Sequence, residues 1–280
     1  MEKPRLFLCS LPIGNRGDIS LNVLEGLKGG KIFVSEDTRT MKRIFHDYDI
    51  PLEDKKIISF HDQSSENDLN KIIEYFNGLE DIYYFSEAGS PVISDPGFPL
   101  VNLAKKMNIE IFTYPGACSV IAALELSGFP AIPFSFHGFF PRELGKISKI
   151  IDKLFYLGGT HIFYESPKRI ENFLGILKDK KGTKFFPDEI CLVREITKIN
   201  QQIIFLNEIN FENEIQKITF LGEFVILIRP KSNPFDVLNL LELEELCQEI
   251  LEQGPNKKRL SKLISNITGE PVKKLYQKLN

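Results

Sequence analysis

A loop rich in glycine, proline, serine and acidic residues follows the short apolar and aromatic run from Tyr83 to Phe85. Two prolines and two glycines fall within nine positions, 89–97, so the loop is predicted to be stiff. A stiff polar loop at the carboxyl end of a strand is where open α/β sheets bind small molecules. The loop is therefore a candidate ligand site, although a strand-to-helix turn without a ligand fits the same pattern.

Two other polar segments follow predicted strands near the start of the chain. Residues 11–15 follow the first strand and lack the glycine spacing that cradles a dinucleotide pyrophosphate. Residues 35–39 bring two carboxylates and a guanidinium to the end of the second strand. Asp37 or Thr38 can also serve simply as the cap of the next helix.

The second half of the chain contains two further charged segments. Residues 164–169 end a predicted strand and begin a helix at Pro167, a residue favoured in the first helical turn. Residues 194–198 bring charges into a predicted sheet, where burial is costly unless the charges are paired or functional.

Alternating patterns of strands and helices predict how these segments are positioned. In residues 1–114 strands are predicted at 5–10, 31–35, 57–61, 81–86 and 110–114, and helices at 21–27, 40–48, 67–77 and 99–107. This alternation predicts an amino-terminal α/β domain with a mainly parallel sheet that is covered by helices on both faces.

A second domain and a helical extension are predicted after it. Residues 115–231 contain strand patterns at 134–139, 160–164, 189–195, 202–206 and 223–229, and helical patterns at 118–124, 146–156, 167–178 and 211–218. Strands that follow one another without helices between them predict a mixed sheet. Residues 235–280 read as a small helical extension, with helices at 236–252, 256–267 and 271–279.

The bulk composition is that of an ordinary globular protein, with 42% apolar and 26% charged residues in 280. No apolar run approaches the roughly 20 residues that span a bilayer, and the apolar stretch at the start is too short for a signal peptide. The four cysteines, Cys9, Cys118, Cys191 and Cys247, lie far apart. This spacing predicts free thiols in a reducing cytoplasm and argues against a metal site.

The net charge of −3 conceals an uneven distribution along the chain. Residues 255–280 contain seven Lys or Arg and one Glu, a local charge of +6, so the preceding 254 residues carry −9. A basic tail on an acidic body suggests a polyanionic partner. A solvated, lysine-rich helical face explains the charge equally well.

The ordered motifs of the chain resemble those of the tetrapyrrole methylase superfamily. Within it, they resemble the bacterial family that methylates the ribose 2'-hydroxyl of a cytidine in small-subunit ribosomal RNA. The matching segments are 12–15 with 17–19, 36–39, 94–97, 115–116 with Ser119, 163–167, 194–195 with 197–198, and 222–225. Tyr276, near the end of the basic tail, also matches.

The chain departs from the family pattern at three places: residues 87–92, residues 199–202 and Cys118, which stands where a proline or a small residue is common. Glu87 and Ser90 replace the usual aspartate and threonine and keep the chemical type, whereas Val92 stands where the family usually has glycine. Residues 199–202 replace a histidine and acidic residues. That last change concerns the acceptor of the methyl group more than its donor.

The resemblance implies a two-domain tetrapyrrole methylase fold that binds S-adenosylmethionine in the cleft between the domains. It also implies a homodimer, a cytoplasmic location, RNA rather than DNA or a membrane as partner, and no metal. The implied donor-binding residues are Pro12, Gly14, Ser86, Ala88, Gly89, Ser90, Ser94, Asp95, Pro115, Gly116 and Ser119.

The resemblance also directs attention to residues that orient or deprotonate the RNA. A ribose hydroxyl is a weak acid, so a general base can assist its attack. We expect Glu36, Asp37 or Glu165 to orient the nucleotide or to remove its proton, with Glu195 as a further candidate base. The expected RNA-binding residues are Asn15, Arg39, Arg169, Arg194 and Lys198.

Two alternatives remain open from the sequence. In one, the methyl acceptor is a ring carbon of a tetrapyrrole in corrinoid or siroheme synthesis, although the basic tail argues against it. In the other, the protein keeps the fold and binds RNA or the ribosome without catalysis, which the changes near Lys198 and Glu87 would allow.

Overall fold

The computed structural model describes residues 3–61, 64, 66–94, 97–231, 256–268 and 271–278. The chain divides into two compact units. The first contains Met1–Gly128, Leu192–Ile203 and Leu221–Ile226, and the second contains Phe129–Cys191, Ile204–Phe220 and Leu227–Asn280. The domain boundaries predicted at residues 114 and 231 stay a prediction.

The first unit is built on a five-stranded sheet with the order β3-β2-β4-β1-β5. All four strand pairs are parallel. The strands are β1 (Arg5–Cys9), β2 (Ile32–Ser35), β3 (Lys56–Ser59), β4 (Ile82–Phe85) and β5 (Glu110–Tyr114). The helices are α1 (Leu21–Gly29), α2 (Thr38–Asp47), α3 (Glu66–Asn77), α4 (Phe98–Lys106) and α5 (Ser119–Ser127).

Helices cover both faces of this sheet. Neighbouring residues of a strand point to opposite faces, so each strand contributes side chains to both apolar clusters. Leu6 packs in one apolar cluster and Phe7 in the other. Burial on both faces explains why the sequence of β2 is apolar up to its last residue, Ser35. Since the strands are parallel, all their carboxyl ends lie along one edge of the sheet.

The second sheet has the order β6-β7-β10-β8-β9. Its strands are β6 (Phe134–Phe139), β7 (Thr160–Glu165), β8 (Glu189–Arg194), β9 (Gln202–Leu206) and β10 (Phe224–Arg229). β6 and β7 are parallel. The backbone N–H of Asp188 donates to the carbonyl of Arg229, and that of Glu195 donates to the carbonyl of Glu223, so β8 and β10 run antiparallel. The sheet is therefore mixed, as predicted.

Within the described residues, five more helices accompany the second sheet and the end of the chain. They are α6 (Leu144–Leu157), α7 (Pro167–Lys180), the short α8 (Phe211–Glu214), α9 (Lys257–Thr268) and α10 (Val272–Lys278). The predicted class, α/β with a parallel sheet, a mixed sheet and a helical carboxyl end, is confirmed. The helix predicted at 236–252 lies outside the described residues.

Two further expectations concern the cysteines and the possibility of a membrane span. Cys9, Cys118 and Cys191 are free thiols, and Cys247 lies outside the described part of the chain. None of the helices that the structure describes is long and apolar enough to cross a membrane.

Candidate functional site

The loops that follow β1 and β4 are joined by a short antiparallel bridge. The backbone N–H of Leu11 donates to the Gly89 carbonyl at 2.9 Å, and the N–H of Gly89 donates to the Leu11 carbonyl at 3.0 Å. Gly89 has a φ of +71°, and a Cβ there would lie 3.1 Å from Cγ2 of Ile13. The buried Ser86 hydroxyl lies within hydrogen-bonding distance of the Ala88 and Gly89 carbonyls. The bridge therefore requires small residues.

The loop after β5 reaches the same edge of the sheet. Cys9 pairs in register with Phe85 and with Tyr114, so the residues that follow these three strands are neighbours. The Oγ atoms of Ser10 and Ser90 are 3.5 Å apart, and the Ser90 hydroxyl donates to the Ala117 carbonyl at 3.4 Å. A Cβ on Gly116 would lie 3.0 Å from Cβ of Ser10.

This edge brings together many of the residues that the sequence predicts to bind the methyl donor. Their side chains are small, so backbone N–H and C=O groups lie close to any molecule bound there. The residues on the three loops are Pro12, Gly14, Ser86, Ala88, Gly89, Ser90, Pro115 and Gly116, and Ser119 begins α5. Ser94 lies further along the β4 loop, and Asp95 lies outside the described residues.

In its described part, the β4 loop contains two non-glycine residues in the left-handed backbone region. Val92 has a φ of 75° and Ser94 a φ of 64°. A β-branched residue is strained there, because its side chain crowds the backbone. The motif resemblance leads us to expect glycine at position 92, and this φ gives a physical reason for that expectation.

Replacing Val92 by glycine is expected to give a more stable protein than replacing it by alanine. Both changes remove the two γ-methyl groups of valine, but alanine keeps Cβ, and only glycine adopts this φ without strain. The strain of about 1–2 kcal/mol is offset in part by glycine's larger entropy when unfolded, about 0.5–1 kcal/mol. Urea denaturation should give a difference of about 0.5–1 kcal/mol. Equal stability of the two variants would rule out this strain.

Arg194 holds the turn that follows β8 rather than extending from it. Its Nε donates to the carbonyl of Leu221, and its Nη1 donates to the carbonyl of Asn200 at 3.0 Å. The residue is only 9% exposed. These contacts favour a structural role for Arg194 over the expected phosphate contact.

Lys198 lies between two carboxylates in the same turn. Its Nζ is 2.9 Å from Oε1 of Glu195 and 2.8 Å from Oε2 of Glu223. Burial alone would raise the pKa of Glu195, but hydrogen bonds from Lys198 and from the Glu223 N–H lower it overall. Burial would likewise lower the pKa of Lys198, but its two carboxylate partners raise it. Both groups are therefore ionised at neutral pH, and Glu195 is a weak general base.

The turn rests on the loop that follows β1. The Asn15 N–H donates to Oγ1 of Thr197 at 3.1 Å. A Cβ on Gly14 would lie 2.5 Å from Cγ of Lys198 and 2.7 Å from Oγ1 of Thr197. Glu195 and Thr197 both have positive φ values, 52° and 64°. Gly14 therefore allows a turn with two positive φ values to approach the loop that follows β1.

Asp37 serves as the cap of α2. Its carboxylate accepts hydrogen bonds from the backbone N–H of Arg39 at 2.8 Å and from the Arg39 guanidinium. These bonds lower the pKa of Asp37, which makes it a poor base at neutral pH. Glu36 follows β2 directly, and Ser35 pairs in register with Phe85, so Glu36 lies at the same sheet edge as Ser86.

In the second unit, Glu165 is a buried carboxylate at the end of β7. Its side chain is 0% exposed, and Oε2 lies 3.0 Å from Nη2 of Arg169, one helical turn later. The Ser166 N–H donates to Oε1 at 2.7 Å. Arg169 also donates to the carbonyls of Phe140 and Pro141. Burial raises the pKa of Glu165, although Ser166 and Arg169 oppose the rise.

Sequence reasoning did not assign a role to several residues that build these sites. Glu223 completes the environment of Lys198, and the Gln201 side chain accepts a hydrogen bond from the Thr197 N–H at 2.8 Å. Ser10 lies where the three loops meet. The match at 222–225 pointed to Glu223, but its partner is 25 positions away and is revealed only by the strand pairing.

The chain is similar in sequence to proteins of known family over most of its length. A family model described as "Tetrapyrrole (Corrin/Porphyrin) Methylases" matches residues 5–209. A Rickettsia prowazekii protein named "Ribosomal RNA small subunit methyltransferase I" is 34% identical over 281 residues, which covers 99% of this chain and 94% of that protein. A Mesomycoplasma conjunctivae protein of the same name is 37% identical over 227 residues, covering 81% and 92%.

Solved structures share the fold at low sequence identity. A diphthine synthase superimposes with a TM-score of 0.61 at 14% identity, covering 81% of this chain and 90% of that protein. A cobalt precorrin-4 methyltransferase gives a TM-score of 0.56 at 13% identity, covering 80% and 94%. At these identities the likeness concerns the fold alone, and it agrees with the fold expected from the motifs.

Proposed function

Because the chain belongs to the tetrapyrrole methylase family and, within it, to the ribosomal RNA small subunit methyltransferase I family, we propose that it methylates small-subunit ribosomal RNA. The methyl group comes from S-adenosylmethionine, and the acceptor is the ribose 2'-hydroxyl of a cytidine. The observation that carries the proposal is a match of 34% identity over nearly the full length of a protein with that name.

The loops at the carboxyl edge of the first sheet fit a donor that carries an amino-acid group. Gly89 and Gly116 approach their neighbours closely, and the nearby serines and backbone groups supply hydrogen-bond donors and acceptors. The sulfonium of S-adenosylmethionine supplies an already activated methyl group, so no metal is required for transfer. The protein's main task is to align the attacking oxygen with that methyl group.

Among the expected acidic residues, the geometry favours positioning over proton removal. Asp37 is engaged by Arg39, and Glu165 is enclosed by Ser166 and Arg169. Glu165 orients the Arg169 guanidinium, whose Nε and Nη1 we assign to RNA phosphate. Glu36 lies at the edge where the donor binds and is the base that we favour.

Arg39 and Lys198 complete the proposed RNA contacts at the surface. The Arg39 side chain is 90% exposed beside Asp37, and Lys198 is partly exposed between its two carboxylates. The enzyme acts in the cytoplasm as a homodimer, as the family resemblance implies. Light scattering of the purified protein tests the oligomeric state directly.

The proposal predicts that label from S-[methyl-³H]adenosylmethionine enters small-subunit ribosomal RNA and resists alkaline digestion. Alkali cleaves RNA through the free 2'-hydroxyl, so a 2'-O-methylated nucleotide stays in a dinucleotide, whereas a base-methylated nucleotide is released alone. Small subunits from a strain that lacks the protein serve as substrate. Nucleoside analysis should then place the label in cytidine.

Other results would contradict particular parts of the proposal. Label in mononucleotides would exclude ribose methylation, and label in a tetrapyrrole would exclude the RNA acceptor. Tight binding of small subunits without any label, despite uptake of S-adenosylhomocysteine by calorimetry, would exclude catalysis. A Glu36→Gln variant with unchanged turnover would remove Glu36 as the base.

A further inference from the structure

The two helices at the carboxyl end separate their apolar and basic residues. Helices α9 and α10 pack against each other, with Ser261 and Leu275 buried. The Ser261 hydroxyl donates to the Lys257 carbonyl at 2.6 Å, which satisfies it within its own helix. The basic residues Lys258, Lys262, Lys273, Lys274 and Lys278 are all exposed.

An aromatic side chain accompanies these lysines. Tyr276 is 40% exposed, and it lies three positions after Lys273, so the two share one face of α10. Exposed lysines on the same helices as an exposed aromatic ring suit single-stranded RNA, because the cations contact phosphates and the ring stacks on an unpaired base.

The charge of the remainder of the chain makes this surface more important for binding RNA. Residues 255–280 carry a sequence charge of +6, whereas the preceding 254 residues carry −9 and repel a polyanion at long range. We infer that α9 and α10 form a docking surface for the ribosomal RNA backbone, which supplies affinity and takes no part in methyl transfer. The inference rests on the proposed function for the choice of RNA as partner.

The test compares the salt dependence of RNA binding in full-length variants. Replacing Lys258, Lys262 and Lys273 by glutamine should lower the slope of log Kd against log salt by about 2–3, or about 0.7–0.9 for each phosphate that the variant no longer neutralises. The control replaces the exposed Lys28, Lys105 and Lys106 of the first unit by glutamine and should keep the wild-type slope. Filter binding of small-subunit ribosomal RNA, with S-adenosylhomocysteine present, measures both.

Two further measurements separate docking from catalysis. The triple glutamine variant should show a higher KM for small subunits and an unchanged kcat at saturation, and Tyr276→Ala should weaken binding without changing the salt slope. The inference would be overturned by an unchanged slope of log Kd against log salt in the triple variant, or by an equal decrease of that slope in the control variant. A reduced slope in a protein that methylates no RNA would support docking and refute only the proposed function.

Discussion

Gly14→Ala is expected to lower both the stability of the first unit and its affinity for the methyl donor. The new Cβ would lie 2.5 Å from Cγ of Lys198, 2.7 Å from Oγ1 of Thr197 and 3.0 Å from the Ile196 carbonyl, so the two loops must separate. Overpacking of this kind costs about 1–3 kcal/mol. If the cost falls on donor binding, affinity for S-adenosylhomocysteine falls by about tenfold to a hundredfold. Calorimetry and urea denaturation measure the two effects.

A second substitution tests whether the contact with the turn causes the loss. Lys198→Ala removes the Cγ that Gly14→Ala would meet, so the double variant should lose less stability than the sum of the single variants. Gly29→Ala is the matched control, because its Cβ meets nothing within 4 Å. Additive effects of Gly14→Ala and Lys198→Ala would show that the two loops do not press on each other here.

Much of the fold follows from patterns that are local in sequence. Each strand of the first sheet is a short apolar run bounded by turn residues, and each helix begins close to its predicted start. The predicted end of β5 agrees with the structure to the residue, because Pro115 cannot continue the strand pairing. The helix predicted to start at Thr40 begins at Thr38, since Asp37 caps it two residues earlier.

The roles of individual charged side chains are harder to predict from the sequence. A pattern shows that Arg194, Lys198 and Arg39 are basic and lie near strand ends, but it does not show their partners. The structure gives Arg194 two backbone carbonyls and Lys198 two carboxylates, one of them 25 residues away. The distant partners, Glu223 of Lys198 and Leu221 of Arg194, depend on strand pairing, which brings together residues that are far apart in sequence. Local spacing can suggest the nearby partner Glu195 but carries no information about these two.

Arg169→Met is expected to destabilise the protein by about 3 kcal/mol at neutral pH, because it leaves a buried carboxylate without its ion-pair partner. The Glu165 side chain is 0% exposed, whereas the Arg169 side chain is 26% exposed. Burial already raises the pKa of Glu165, and loss of Arg169 removes a charge that opposes this rise. Lys168→Met, which removes an exposed charge next to it on α7, serves as the control.

The pH dependence of the stability lost in Arg169→Met identifies the cause of that loss. A carboxyl group whose pKa is raised by folding favours the folded state below its unfolded pKa, and this contribution is lost as pH rises through the folded pKa. The difference in the free energy of unfolding between Arg169→Met and wild type should therefore shrink as pH falls from 7 towards the ordinary pKa of a glutamate. Adding Glu165→Gln should recover most of the loss at pH 7, because no buried charge remains. A loss that is independent of pH and persists in the double variant would instead indicate that the packing of the arginine side chain is what stabilises the protein.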